Sequence, residues 1–298
     1  MQAELIYDAR ATLGEGPFWD HQNDLLIWVD IEEGSVHFYN PANGQDKYRE
    51  LGTRIGMAVP NTEGHIIAAL QDGFAWIIED SNPIYIADPE NDLKNNRFND
   101  GKCDPQGRLW AGTMDLEAEE NCGSLYRMNE DLTVSQMISG VSISNGLAWS
   151  HDSKTMYYID TLSYNVMSYE FSPSEGIIAN PETVIVIPKD HGAPDGMTID
   201  RDGKLWIAHW GGGNVSRWDP DTGQLMKVII VPVPQPTSCV FGGSLLDTLY
   251  ITSARTGLSV QELNEYPESG GLFAVKPGVS GYHSSCFKGK PGRIDDKM

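Results

Sequence analysis

The sequence predicts an all-β chain folded as a six-bladed β-propeller, and three observations carry that prediction. Short aromatic and aliphatic strands recur six times, at Leu25–Asp30, His65–Leu70, Arg108–Met114, Thr155–Asp160, Lys204–Trp210 and Thr248–Ala254. Their starts lie about 40 to 50 residues apart, the period of propeller blades. A second strand follows each, as in Gly34-Ser-Val-His-Phe-Tyr39, Gly123-Ser-Leu-Tyr-Arg-Met128 and Gly213-Asn-Val-Ser-Arg-Trp218. Finally, one phrase returns ahead of these strands with a different polar residue in a fixed slot. It reads Glu15-Gly-Pro-Phe-Trp-Asp20, Asn145-Gly-Leu-Ala-Trp-Ser150 and Asp195-Gly-Met-Thr-Ile-Asp200.

Each repeated segment has β chemistry: it is short, rich in Val, Ile, Tyr and Trp, and bounded by Gly, Asp, Asn and Pro. No long window repeats its apolar residues every 3.6 positions, so long amphipathic helices are not expected. A β-sandwich would not produce six equivalent strand pairs, and a solenoid would need distinct end caps. Radial repetition buries the sheet faces between neighbouring blades and leaves short edges. Closure is expected where Glu4–Arg10 pairs with the last blade near Gly271–Lys276. One propeller domain is expected over residues 1–287, with 288–298 as a loose, turn-rich C-terminal extension. Trp19, Trp28, Trp110, Trp149 and Trp206 are expected in blade cores.

Composition narrows the partners. Asp and Glu number 42 against 21 Lys and Arg, a formal net charge of −21. No basic stripe offers a nucleic-acid footprint, so no nucleic-acid partner is expected, and the charge itself reads as a solvated surface. Met1–Asp8 carries neither a basic region nor an apolar run of signal-peptide length. No stretch approaches the length needed to cross a bilayer as a helix. A cytoplasmic setting without membrane partner follows as an expectation, and no obligate protein partner is evident. Cys103, Cys122, Cys239 and Cys286 are scattered without a C-x-x-C pair, which argues against a disulfide framework or structural zinc. Cys103 and Cys239 lie in apolar strand-like contexts and read as buried thiols.

Following the slot through all six repeats gives a ring of Glu15, Ile55, Asn99 or Asp100, Asn145, Asp195 and Thr237. In a propeller these positions converge on the central channel. Taken singly, Asp-Gly and Asn-Gly are turn dipeptides. Three polar residues in one repeated slot point instead to a site. Carboxylate and carboxamide oxygens suit a hard divalent cation, with water completing its shell. An open catalytic zinc with oxygen ligands also fits. The predicted fold is therefore a propeller with a central divalent metal site. His191 and His209 fall near the same face and read as hydrogen-bonded structural residues, while Trp210 with Gly211–Gly213 reads as rim.

Five phrases in this order resemble the senescence marker protein/gluconolactonase family, which includes regucalcin-like proteins and bacterial sugar lactonases. They are Leu13-Gly-Glu-Gly-Pro17, Asn96-Arg-Phe-Asn-Asp-Gly-Lys102, Gly107-Arg-Leu-Trp-Ala-Gly-Thr-Met114, Ile143-Ser-Asn-Gly-Leu-Ala148 and Ala193-Pro-Asp-Gly-Met197. The resemblance implies a six-bladed propeller with one divalent metal on its axis. It implies Glu15, Asn145 and Asp195 as metal ligands, with Ca, Zn, Mg, Mn or Fe as candidate ions. It further implies Arg97 and Asn99 as substrate contacts and Glu117 as acceptor for a sugar hydroxyl, with Asp115 and Glu119 as alternatives in the same acidic run. The expected reaction is hydrolysis of a sugar (aldono)lactone to its acid by metal-activated water. Asp195 would ligate the metal and serve as general base. No G-x-S-x-G elbow supports a serine nucleophile. The competing readings are a non-enzymatic calcium-binding or regulatory protein, and a phosphotriesterase or esterase on the same scaffold.

Overall fold

A computed structural model describes residues 1–78 and 81–292. Among the described residues, 24 strands form six four-stranded antiparallel sheets. Five sheets are built from consecutive strands, and their innermost members are Gly14–Asp20, Ile55–Pro60, Asn96–Cys103, Ser144–Trp149 and Ala193–Ile199. The sixth has Pro236–Gly242 innermost and takes its outermost strand, Glu4–Tyr7, from the other end of the chain. Glu4 pairs with Ala274, Leu5 with Phe273 and Tyr7 with Leu272, the closure expected from the sequence. Each innermost strand packs against the next around a complete ring, from blade one through blade six and back. The fold is a six-bladed propeller.

Side-chain chemistry explains why these segments form blades. In blades three and five the innermost strand is followed directly by an Asp that builds the turn. Asp104 Oδ1 accepts from the backbone N–H of Gln106 (2.8 Å) and Arg108 (3.1 Å), and Asp200 Oδ1 from those of Asp202 (2.9 Å) and Lys204 (3.0 Å). The other oxygen of each accepts the indole N–H of a buried Trp, Trp110 at 3.1 Å and Trp206 at 2.8 Å. The five tryptophans expected in blade cores are buried, and Trp28, Trp110 and Trp206 are fully so. Cys103 and Cys239 are buried and all four thiols are free.

The innermost strands share one irregularity. Each carries a register shift at the slot, between Glu15 and Phe18, Ile55 and Met57, Phe98 and Gly101, Asn145 and Leu147, Pro194 and Met197, and Pro236 and Ser238. A bulge of this kind bends the strand and re-aims the side chain beside it. Glycine after the slot lets neighbouring strands approach the axis. A Cβ on Gly146 would stand 2.8 Å from the Asp195 carbonyl oxygen, and one on Gly196 would stand 2.0 Å from Ser238 Oγ.

Two features depart from the expectations. Ser259 opens a short helix, Val260–Glu265, whose capping box pairs Ser259 with Glu262. The extension expected to be loose from residue 288 is tied down over its first residues. Lys288 donates its N–H to the Gly107 carbonyl (2.9 Å), and Asn61 Nδ2 donates to the Gly289 carbonyl (3.1 Å). Just before it, Phe287 is fully buried against Trp76, which anchors this part of the chain by apolar packing despite its turn-rich sequence. Residues 293–298 of the expected extension lie outside the described residues. Among the described residues no helix is long and apolar enough to cross a membrane.

Candidate metal and substrate site

Slot residues from different blades come together: Glu15, Asp100 and Asp195 are close enough for the charge on one to shift the pKa of another, and Asn99 touches Asn145. Glu15, Asn145 and Asp195 lie on the innermost strands of blades one, four and five, and each is no more than 5% exposed. Blade three contributes both residues that competed for its slot. Asn99 and Asp100 share the bulge between Phe98 and Gly101 and are equally buried. Ile55 fills the slot of blade two. Thr237 of blade six is spent on the scaffold, donating to the Gly14 carbonyl (2.6 Å) and meeting the Thr252 hydroxyl (2.8 Å).

A one-way hydrogen-bond chain links blade three to blade five. Arg97 Nη1 donates to Asn99 Oδ1 (2.7 Å), and Asn99 Nδ2 donates to Asn145 Oδ1 (3.2 Å) and to the Ser144 carbonyl (2.8 Å). Asn145 Nδ2 donates to Thr161 Oγ1 (2.8 Å), whose hydroxyl donates to the Pro194 carbonyl (2.8 Å). Asn145 is thereby held with its amide oxygen on the side away from Thr161.

The carboxylates are held differently. Glu15 Oε2 accepts the N–H of Gly16 (2.9 Å), and Asp100 Oδ1 accepts that of Gly101 (2.8 Å). Asp195 Oδ1 is buried without a hydrogen-bond partner among the described residues. Burial and the Asp100 charge push Glu15 up to about 8. Burial, then Glu15 and Asp100, raise Asp195 well above the usual carboxylate range. Burial raises Asp100 as well, against the opposing pull of Lys102. Arg97 is pushed down to about 10, chiefly by burial. Lys102, also lowered by burial, donates its ammonium to the Met197 carbonyl (2.7 Å).

Three like charges crowded away from water are costly unless a proton or a cation neutralises them. The orphaned Asp195 oxygen and the oxygen-only donor set fit a hard divalent cation. Among the described residues no three His, Cys, Asp or Glu side chains form a ready metal site. The grouping at the axis instead combines two slot carboxylates with a carboxamide.

Glu117 stands apart. It lies on an exposed turn after Leu109–Asp115, where its N–H donates to Asp115 Oδ1 (2.8 Å). Register pairs Arg97 with Met114 and Asn96 with Asp115, so this turn follows the end of the blade that carries Arg97. Among the described residues it makes no hydrogen bond to the buried cluster. His209, paired in register with Pro194, is fully buried with Nε2 against Ser216 Oγ. Burial pushes it down to about 4, so its ring is neutral near pH 7. Two residues that the repeat pattern left without a role, Lys102 and Thr161, prove to touch the cluster's surroundings. Their signal was position: Lys102 ends the Asn96–Lys102 phrase, and Thr161 follows the Asp that closes a blade strand.

Comparison with known proteins places this geometry in context. The family model described as SMP-30/Gluconolactonase/LRE-like region matches residues 13–255. The chain belongs to the SMP-30/gluconolactonase/LRE-like family. A Bacillus subtilis (strain 168) member named sugar lactone lactonase YvrE is 39% identical over 290 residues, covering 97% of this chain and 99% of that protein. Regucalcin of Sus scrofa is 38% identical over 283 residues, covering 92% of this chain and 94% of its own. Among solved structures, a calcium-binding protein, regucalcin, from Agrobacterium tumefaciens strain C58 superposes with a TM-score of 0.91 at 29% identity, covering 97% of each chain. The slot residues from Glu15 to Asp195 all fall within the family region.

Proposed function

We propose that the chain is a metal-dependent lactonase that opens a sugar lactone to the corresponding sugar acid. The observation that carries this reading is the convergence of Glu15, Asn145 and the unpartnered Asp195 oxygen beside Arg97 and Asn99, in one buried cluster. Membership of a family with a relative named as a sugar lactone lactonase supports the substrate class. Glu15, Asn145 and Asp195 would hold one divalent cation. When bound, the cation would supply Lewis-acid polarisation of the lactone carbonyl and lower the pKa of a water molecule.

The protein's own groups account for the remaining work. Asp195, whose Oδ1 has no hydrogen-bond partner among the described residues, takes a proton from the attacking water. The water oxygen bonds to the carbonyl carbon, the ring C–O bond breaks, and the proton passes to the released ring oxygen, which becomes a hydroxyl. Arg97 uses Nη1 on Asn99 and the Phe98 carbonyl, and the remaining N–H groups of its fork would serve substrate oxygens. Asn99, fixed by Arg97, sets its amide beside Asn145. Glu117 would accept a sugar hydroxyl.

A calcium-binding role without turnover is the second reading, supported by the regucalcin relatives. The test strips the protein of metal, adds back Ca²⁺, Mg²⁺, Mn²⁺, Zn²⁺ and Fe²⁺ separately, and follows acid release from an aldonolactone panel against a phosphotriester. Lactone turnover that returns with a divalent ion is expected. Turnover that persists without metal would overturn the mechanism, and tight Ca²⁺ binding without turnover would favour the second reading.

A further inference from the structure

The six repeats allow a comparison at one position outside the slot. In blade one the second strand ends at Asp30, whose carboxylate receives the N–H groups of Thr12 (2.7 Å) and Leu13 (3.0 Å). In blade four Asp160 does the same for Ser142 (2.9 Å) and Ile143 (3.0 Å). The register matches, with Gly14 opposite Asp30 and Ser144 opposite Asp160. The next residue is therefore equivalent in the two blades. It is Ile31 in blade one, fully buried in the apolar core, and Thr161 in blade four. In blade five the corresponding place, one beyond His209, is Trp210.

Thr161 is thus a hydroxyl at a position that two sister blades fill with an apolar side chain. It is 7% exposed and its hydroxyl is used on both sides, accepting from Asn145 Nδ2 and donating to the Pro194 carbonyl, each at 2.8 Å. Its own N–H is fixed by the Ile143 carbonyl (3.1 Å). The first bond holds the Nδ2 end of the Asn145 amide, while Asn99 Nδ2 donates to its Oδ1 end. The second grips the backbone one residue before Asp195, on the neighbouring blade. Glu15 needs no such partner, because Gly16 on its own strand orients it.

We propose that Thr161 is a positioning residue that presents Asn145 Oδ1 to the axial cation and fixes the spacing between Asn145 and Asp195. It rests on the metal reading above. Second-sphere partners of this kind typically change metal affinity by roughly ten- to hundredfold when removed. A valine keeps the shape and burial of Thr161 but cannot accept from the amide or donate to the carbonyl. A serine keeps the hydroxyl.

The test measures Mn²⁺ binding by calorimetry for wild type, Thr161→Val, Thr161→Ser and Glu15→Gln, with thermal unfolding of each metal-free protein. The expected result is that Thr161→Val weakens Mn²⁺ binding by about tenfold or more while Thr161→Ser stays within about twofold. If Thr161→Val does not fold, Thr161→Ala takes its place against the serine variant. Wild-type affinity in Thr161→Val, or equal weakening in the serine variant, overturns the proposal while leaving the metal reading intact. A wild-type protein that binds no Mn²⁺, or a Glu15→Gln variant that binds it as wild type does, overturns the metal reading and this proposal with it.

Discussion

Blades one, four and five build the same inner-strand bulge as blades two and six, yet the two groups use the slot beside it in opposite ways. In blades two and six the occupant completes the scaffold: Ile55 packs in the core, and the Thr237 hydroxyl is consumed by Gly14 and Thr252. In blades one, four and five the occupant is an oxygen donor, and in blades one and five the protein meets its needs only partly. Asp195 leaves one oxygen unpaired among the described residues, and Glu15 is pushed up to about 8 by burial and by Asp100. The backbone device is thus independent of its occupant. Leaving polar groups unsatisfied in a buried place costs stability, which a bound cation would return.

The largest expected effect comes from removing a donor on the unsatisfied side. Asp195→Asn should lower lactone turnover by roughly a thousandfold or more, since both a ligand and the base are lost. Initial rates alongside circular dichroism check it, and an unfolded variant would not count in its favour.

Acid–base behaviour should separate the two groups next. Glu15 has a folded pKa raised above its unfolded value, so between about pH 4.5 and 8 the folded metal-free protein binds more protons than the unfolded chain. Its contribution to stability is complete below that window and is lost as pH rises through it. The melting temperature of the metal-free protein should therefore fall across the window, and Glu15→Gln should flatten the slope. The same scan on Thr237→Val should keep the wild-type slope.

Close packing behind the slot should matter for folding rather than chemistry. Gly196→Ala puts a Cβ against Ser238 and should cost about 1–3 kcal/mol, read by denaturant unfolding. The smallest effect is expected for Thr237→Val, about 1 kcal/mol, with Mn²⁺ affinity unchanged. A loss of metal binding in that variant would erase the distinction between the two groups of blades.

Much of this was legible because a propeller writes its geometry into the chain as a period. The strands at Leu25–Asp30 and Thr155–Asp160 form as read, and so does the pairing of the chain's two ends. Glu15, Asn145 and Asp195 were visible as a trio because the repeat places equivalent residues around one axis. Blade three was ambiguous because two polar residues, Asn99 and Asp100, lie side by side in its bulge between Phe98 and Gly101 and both are buried. Thr161 lay outside the repeated phrase, and its role depends on a bond across blades to Pro194. The buried Phe287 was hidden in a turn-rich stretch without strand alternation, where a single apolar anchor leaves no periodic trace. The helix at Val260–Glu265 did carry a local signal, the Ser259 and Glu262 capping pair, but is too short to show a period.

Slots far apart in sequence should share one cation. Anomalous diffraction from crystals soaked in Mn²⁺ tests it most directly. One peak per chain is expected on the propeller axis, about 2.0–2.6 Å from oxygens of Glu15, Asn145 and Asp195. No peak there at saturating Mn²⁺, or a peak held by other residues, would contradict it.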